Sequence, residues 1–428
     1  MDNAKKTIGL ITNWYPTKDN PYQGVFFKEQ AFALEEYFDF VVIHYKEKRN
    51  ISILGYVLKK LQKKTITVSS INGERNTEEY DVNVILPKIT LYIDKLNSIC
   101  EKIVKKNRLD GVSVYISKSY QKRKKNILTQ VFQKYFSDTI DVLYCVDAQG
   151  ESNTLQYVSE IIGKPYVISE HAPFLYPGKG LKDIEKNAME KADLFMAISY
   201  DKIRQVLMQN IKLKKIAYVG NMVDENQFML RAGNNKTKTF VMVAANSFYK
   251  NYDLFIKIFE RLIEITDVPF KVMIVGYGAN KGYSKNVEVL EQRICNSKFG
   301  HCAELIPEVN HDKIQEVYYR ADAFVMTSIQ EGMPVSALEA GCSGLPIFST
   351  MCGGVEDYVT DKIGRIYKII DSEAFAYGLK EFLEGQIEFD SCYIREYIVK
   401  MYGKDAFVKR MKTCFEDVIS SAKGRNRN

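Results

Sequence analysis

The sequence predicts an α/β protein made of two parallel-sheet domains, and three observations carry that expectation. Short β-branched runs alternate with longer helical patterns along all 428 residues. Many of the runs are almost continuously apolar, as strands buried on both faces of a parallel sheet require. About eleven such runs occur, more than one doubly wound sheet commonly holds.

The first set comprises residues 7–12 (TIGLIT), 38–44 (FDFVVIH), 141–146 (DVLYCV), 165–169 (PYVIS), 194–198 (LFMAI) and 215–219 (KIAYV). The second comprises 239–244 (TFVMVA), 271–276 (KVMIVG), 303–306 (AELI), 322–327 (DAFVMT) and 346–350 (PIFST). Helical segments between the runs provide the crossovers that parallel strands need. Between the two sets lies FMLRAGNNKTK (228–238), polar and carrying Gly-Asn-Asn before a fresh strand. The expected organisation is therefore a domain over 1–220, a second over 221–395, and a helical segment over 396–428 that packs back toward the first. Segment 51–64, ISILGYVLKKLQKK, has helical period. Leu54, Val57, Leu58 and Leu61 share one face, and Lys59, Lys60, Lys63 and Lys64 share the other.

Composition excludes several classes. At 46% hydrophobic and 26% charged residues, the chain is neither disordered nor fibrous. Thr7–Thr12 is too short for a signal-peptide core, and no run of about 18 apolar residues predicts a membrane-spanning helix. The eight cysteines form no CxxC pair, so they read as reduced core thiols in a cytoplasmic protein. The formal net charge is +7, but it is local. Residues 46–64 hold seven basic and one acidic side chain, and residues 102–125 hold nine and one. Together these stretches carry +14 and leave the rest of the chain at −7. Two readings stand: a solvated face that aids solubility, or a surface that docks on an anionic membrane at the inner face of the cell. No helix-turn-helix, RRM or zinc-finger pattern accompanies the charge, which argues against nucleic acid as a partner.

The most informative stretch is 331–354, EGMPVSALEAGCSGLPIFSTMCGG. A strand ends at Thr327-Ser328, and a loop then delivers Glu331, Gly332, Met333 and Pro334. Pro334 suits the first turn of a helix over 334–342, because its missing N–H costs nothing there. Gly332 lets backbone approach a ligand closely, and the free N–H groups at the helix start favour an anion such as a diphosphate. Seven residues separate Glu331 from Glu339. On a helix that spacing puts both carboxylates on roughly one side, about 10–12 Å apart along the axis. One can reach a sugar hydroxyl and the other a ribose diol.

This stretch resembles the Glu-x7-Glu signature of glycosyltransferase family 4, a retaining family of GT-B fold. Ala321-Asp322, Gly344-x-Pro346, Gly353-Gly354 and Glu356 match the pattern around it. The resemblance implies two Rossmann-like domains facing a cleft. It also implies transfer of a sugar from a nucleoside diphosphate sugar, UDP- or GDP-linked, with retention of configuration. The acceptor would be a glycan or lipid-linked molecule, in bacterial surface polysaccharide synthesis. No metal or other cofactor is expected, since no Asp-x-Asp pair occurs.

Carried over residue by residue, Glu331 would hold the sugar hydroxyls and Glu339 the ribose. Lys250 and the backbone N–H groups of Gly332, Met333, Pro334's neighbours and Val335 would face the diphosphate. Gly24, in the loop after the first strand with Asn13, Trp14 and Tyr15 nearby, would approach the phosphates or serve as a turn before helix 25–35. His171, in SEHAPF, would contact the sugar or polarise the acceptor region. Ile306 would lie near the base. The family commonly pairs the Lys with an Arg on the diphosphate, but here the Arg position reads Ala245 or Asn246. A non-catalytic nucleotide-sugar-binding or scaffold protein on the same fold is the alternative that this gap keeps open.

Overall fold

A computed structural model describes residues 5–12, 15–16, 24–51, 66–71, 77–87, 126, 128–172, 181–231, 235–278 and 287–425. Eight strands form the first sheet: β1 (Lys6–Ile11), β2 (Phe38–Ile51), β3 (Ile66–Ile71), β4 (Thr77–Pro87), β5 (Val142–Cys145), β6 (Tyr166–Ser169), β7 (Leu194–Ala197) and β8 (Ile216–Tyr218). Their order is β3-β4-β2-β1-β5-β6-β7-β8. Every neighbouring pair is parallel except β3 and β4. Six strands form the second sheet: β9 (Lys238–Val243), β10 (Phe270–Val275), β11 (Ala303–Ile306), β12 (Ala323–Met326), β13 (Ile347–Thr350) and β14 (Gly364–Tyr367). Their order is β11-β10-β9-β12-β13-β14, all parallel.

All eleven expected runs are strands, and each sheet interior is buried on both faces. Every residue of β5, β6, β7, β12 and β13 is buried. That is why these runs read as continuous rather than alternating. Strands β3, β4 and β14 were not expected. They lie at sheet margins, where polar residues such as those of TEEYDVN and Arg365 are tolerated and blur the apolar signal. Strand β2 runs on to Ile51, so the first residue of the helix expected over 51–64 is extended. Residues 52–65 and the basic stretch 102–125 lie outside the described residues.

Topology selects where ligands can bind. In the first sheet the chain reverses its direction of travel at β1, which is flanked by β2 and β5. In the second it reverses at β9, flanked by β10 and β12. Open α/β sheets bind ligands outside the carboxyl ends of strands at such reversals. The relevant segments are those after β1, β5 and β6 on one side, and after β9 and β12 on the other.

The chain crosses between domains twice, and the two crossings lie side by side. Val223 N–H donates to the Tyr402 carbonyl at 2.9 Å, and Val223 pairs with Gly403 in a short parallel bridge. Arg395 donates to the Glu225 carbonyl at 2.8 Å, and Arg410 to the Val219 carbonyl at 2.7 Å. Helix Ser391–Tyr402 stays with the second domain, where Ile398 packs on Gly341. Helix Lys404–Arg425 leaves it and packs on the first sheet, with Phe415 edge-on to Phe38 and Tyr144 at 5.6 and 5.5 Å.

The cysteines are only partly core. Cys145, Cys342, Cys352 and Cys414 are buried, but Cys295 and Cys392 are exposed, and all six are free thiols. Cys295 ends helix Val287–Cys295 and Cys392 begins helix Ser391–Tyr402, so both sit at helix ends on the surface. Among the described residues, no helix is long and apolar enough to cross a membrane.

Candidate active site

The second domain builds its part of the site by lacing three strand-end loops together. After β9 the backbone turns through Phe248–Lys250 and enters left-handed geometry at Asn251 (φ 51°). The Asn251 side chain then accepts from Leu254 N–H at 3.3 Å and starts helix Tyr252–Ile265. After β12, the Thr327 hydroxyl donates to the Lys250 carbonyl at 2.9 Å, and Ile329 N–H donates to the Tyr249 carbonyl at 2.7 Å. After β13, the Cys352 carbonyl accepts from Glu331 N–H at 2.7 Å. This lacing fixes Lys250 and Glu331 opposite each other. The Lys250 ammonium donates to Glu331 Oε1 at 2.6 Å, with the two side chains 24% and 13% exposed.

Helix Val335–Cys342 follows the Glu331 loop. Pro334 is its cap, in extended geometry (φ −71°, ψ 116°), so the helix begins one residue later than expected. The proline carbonyl still accepts from Leu338 N–H at 3.3 Å. Met333 is tied to the interdomain segment: Asn221 donates its side-chain N–H to the Met333 carbonyl at 2.7 Å, and the Met333 side chain is buried. Val335 is half-buried at the helix start.

Glu339 lies inside the helix with its side chain buried, accepting from the Tyr318 hydroxyl at 2.7 Å. Burial pushes its carboxyl up to about 7, against the smaller opposing pull of the Tyr318 hydrogen bond. Ile306, half-buried at the end of β11, uses its carbonyl to accept from Gly276 N–H at 2.9 Å.

The first domain brings a different set. Gly24 stands in left-handed geometry (φ 67°) at the start of helix Val25–Leu34, a conformation that favours glycine. Phe27, one turn on, lies edge-on to the His171 ring at 4.7 Å. His171 Nε2 is 3.1 Å from the Ser169 hydroxyl, which in turn bonds the Tyr144 hydroxyl at 2.9 Å. Its Nδ1 is buried with no hydrogen-bond partner among the described residues. Burial first, and Lys202 second, pull the His171 imidazole down to about 3, so it is neutral at pH 7.

The two halves meet at Gly332. A Cβ there would lie 2.8 Å from Ile198 Cδ1 and 3.0 Å from the His171 carbonyl oxygen, so only glycine lets the loop come this close. Thus Gly24, His171, Gly332, Glu331 and Lys250 gather along one cleft, whereas Ile306 spends its carbonyl on Gly276 within the second sheet.

Three groups in this cleft escaped the sequence reading. Glu29, on helix Val25–Leu34, faces His311 Nε2 at 3.5 Å across the cleft. Burial pushes its carboxyl up to about 7, with Glu339 and then Asp224 adding to the effect. Glu170 and Lys202 are both completely buried. Glu170 adjoins the noticed His171, which was a usable signal. Glu29 and Lys202 sit in helix faces that read as solvated, and no local signal singles them out. The expected Arg position offers no cation: Asn246 N–H donates to the Tyr277 carbonyl at 3.2 Å, and Ala245 is apolar. Among the described residues, no cluster of three or more His, Cys, Asp or Glu could hold a metal ion.

Residues 223–398 match the family model described as "Glycosyl transferases group 1". An uncharacterized glycosyltransferase of Methanocaldococcus jannaschii is 24% identical over 173 residues, which is 40% of this chain and 41% of that protein. The matched region thus spans about two fifths of the length of that relative. The sucrose-phosphate synthase of Thermosynechococcus elongatus superposes with a TM-score of 0.66 at 12% identity, covering 97% of this chain and all of the other. Anabaena HepE, solved in complex with UDP, superposes with a TM-score of 0.66 at 12% identity, covering 96% of this chain and all of the other. The fold is therefore GT-B, two Rossmann-like domains about a cleft, and the second domain is the part that matches the group 1 glycosyl transferase model.

Proposed function

We propose that this chain transfers a sugar from a UDP- or GDP-linked donor to a glycan or lipid-linked acceptor, with retention and without a metal ion. The observation that supports it most is the Lys250–Glu331 pair at 2.6 Å, held outside the carboxyl ends of β9 and β12 and beside the loop pressed onto His171. HepE was solved with UDP-glucose, and a mutant of S. aureus TarM with fondaparinux, α-GlcNAc-glycerol and UDP, which is the donor chemistry this reading requires.

In this reading Lys250 and the N–H groups at the start of helix Val335–Cys342 stabilise charge on the departing diphosphate. Glu331 orients the sugar hydroxyls. Glu339 meets the ribose, and its raised carboxyl can both donate and accept a hydrogen bond near pH 7. His171, neutral at that pH, offers Nδ1 to a hydroxyl rather than a positive charge to an oxyanion. The departing phosphate takes the acceptor proton, so no side-chain base is needed. Gly24 and the Ile306 backbone would flank the phosphates and the base.

The test is calorimetric titration with UDP, GDP and their sugars in EDTA, followed by turnover of whichever donor binds. Binding and metal-free turnover that Glu331→Ala abolishes are expected. No binding of any nucleotide sugar would remove the reading. The cation missing at Ala245 and Asn246 supports a second reading, a nucleotide-sugar-binding protein without catalysis, and metal-free turnover eliminates it.

A role in bacterial surface polysaccharide synthesis rests on the 331–354 resemblance, and docking on the cytoplasmic face of a membrane on the basic stretches 46–64 and 102–125. Vesicles with anionic lipid should pellet the protein. Neutralising Lys59, Lys60, Lys63 and Lys64 should weaken that without changing donor binding.

A further inference from the structure

Glu170 and Lys202, an acid and a base, are fully buried in the cleft wall, and neither has a part in the chemistry above. Burying two charges is costly unless each is well bonded, so their partners define what they do. Glu170 follows β6 and uses both oxygens on backbone. Oε2 accepts from Ala148 N–H at 2.9 Å, in the loop after β5, and Oε1 accepts from Ala172 N–H at 2.7 Å. Lys202, in the first turn of helix Tyr200–Met208, donates its ammonium to the Ala172 carbonyl and to Gln205 Oε1 at 3.1 Å. Ala172 is therefore gripped at both its N–H and its carbonyl, by an acidic and a basic side chain from two elements. The residue before it, His171, has its carbonyl 3.0 Å from where a Cβ of Gly332 would stand, and the Lys202 Cε is 3.6 Å from the same point.

We propose that Glu170 and Lys202 are positioning residues that set the His171–Ala172 segment against the Gly332 loop, and so fix the reacting geometry across the cleft. The inference rests on the transferase reading above. Glu170 ties the loops after β5 and β6 into one body. Lys202 ties that body to the helix after β7 and lays its stem on the opposite domain. Neither touches the donor, so their loss acts through His171 and the loop carrying Glu331. Asp147 helps hold the same corner, because its Oδ1 accepts from Gln149 and Gly150 N–H at 2.9 and 3.0 Å.

The experiment compares the wild-type chain with Glu170→Gln, Glu170→Ala, Lys202→Met and the double variant Glu170→Gln/Lys202→Met. UDP and GDP affinity, kcat, KM and the thermal midpoint are measured for each. Nucleotide affinity should stay within about threefold, while kcat falls about 10- to 100-fold from sub-ångström to ångström misplacement. Glu170→Gln keeps one acceptor oxygen and should fall between wild type and Glu170→Ala. The double variant removes both buried ionisable groups of this pair, so it should keep or raise the midpoint while kcat stays low. That combination is one a merely structural pair would not produce.

Unchanged kcat in folded Glu170→Gln and Lys202→Met would overturn the proposal, as would wild-type kcat in the double variant. Loss of kcat and nucleotide affinity in proportion to a lowered midpoint would overturn it too. Absence of nucleotide-sugar binding by the wild-type chain would instead overturn the underlying reading, and the wild-type measurement alone tells the two failures apart.

Discussion

The Lys250–Glu331 pair makes a prediction whose two parts have opposite signs. In the free protein the ammonium sits 2.6 Å from Glu331 Oε1, with the side chains 24% and 13% exposed. A diphosphate arriving at Lys250 has to compete with that carboxylate. Two unit charges about 4 Å apart attract by about 4 kcal/mol at an effective dielectric near 20. The net worth of a charge-assisted hydrogen bond, after desolvation, is about 1.5–3 kcal/mol. Glu331→Gln keeps the shape and a weak hydrogen bond but removes the competing charge. If half of the net worth opposes binding, UDP affinity should rise by about 3- to 10-fold, since 1.4 kcal/mol is tenfold. Transfer from the intact nucleotide sugar should fall about 10- to 100-fold, because a carboxylate that orients the sugar is lost. Calorimetry with UDP alone and a UDP-release assay with the donor separate the effects. Lys250→Met is the control and should weaken UDP binding. If Glu331→Gln leaves UDP affinity unchanged or weaker, the carboxylate does not compete for Lys250 and the reasoning fails.

Three further outcomes concern Glu339, Phe415 and Gly332. Glu339 has its carboxyl pushed up to about 7 by burial, so the folded state holds a proton there that the unfolded state releases above about 4.5. Its contribution is present below pH 4.5 and is lost as pH rises toward 7. Glu339→Gln should therefore raise the unfolding free energy more at pH 8 than at pH 5, by at most about 3 kcal/mol in denaturant titrations; an equal change at both pH values would contradict this. Phe415 is completely buried and joins the last helix to Phe38 and Tyr144 of the first sheet. Phe415→Ala should cost about 3–5 kcal/mol in denaturant unfolding, and a loss under 1 kcal/mol would mean that the helix is not docked there. Gly332→Ala places a Cβ 2.8 Å from Ile198 Cδ1 and 3.0 Å from the His171 carbonyl. It should lower kcat by about tenfold or more while UDP affinity changes little, measured by turnover beside calorimetry.

The strands were legible because their burial leaves a continuous apolar record. Tyr166–Ser169 and Ala323–Met326 could hardly read as anything else. The loop of Glu331 and Gly332 and the helix that carries Glu339 were legible because a strand end, a proline and a helix start lie within one short stretch of chain. What escaped was set by partners far away in sequence. Lys202 is buried only because Ala172 and Gly332 arrive from other elements. Glu29 meets His311 only when two domains close on each other. Lys250 was legible from the resemblance and the missing Arg as a gap at Ala245 and Asn246, but the pairing of Lys250 with Glu331 at 2.6 Å was not, because sequence spacing says nothing of which loops are laced together.

The lacing also constrains how the cleft can open. The chain crosses between domains at Val223 and Gly403, and these residues pair with each other, so the covalent link is one narrow strap. A narrow strap by itself resists rotation weakly. Resistance must come from contacts across the cleft: Gly332 on Ile198 and His171, Tyr200 N–H on Asp357 at 3.0 Å, and Glu29 beside His311. The first of these lies on the segments that hold His171 and Glu331. Opening the cleft to admit a donor therefore separates His171 from the Glu331 loop, and closing it restores both the geometry and the exclusion of water. A donor that bridges Lys250 and His171 would bias closure by bonding to both sides at once, whereas UDP alone, lacking the sugar, would bond mainly to one. That difference explains why Glu331→Gln can tighten UDP and still slow transfer: the first reads one wall of the cleft, and the second needs both.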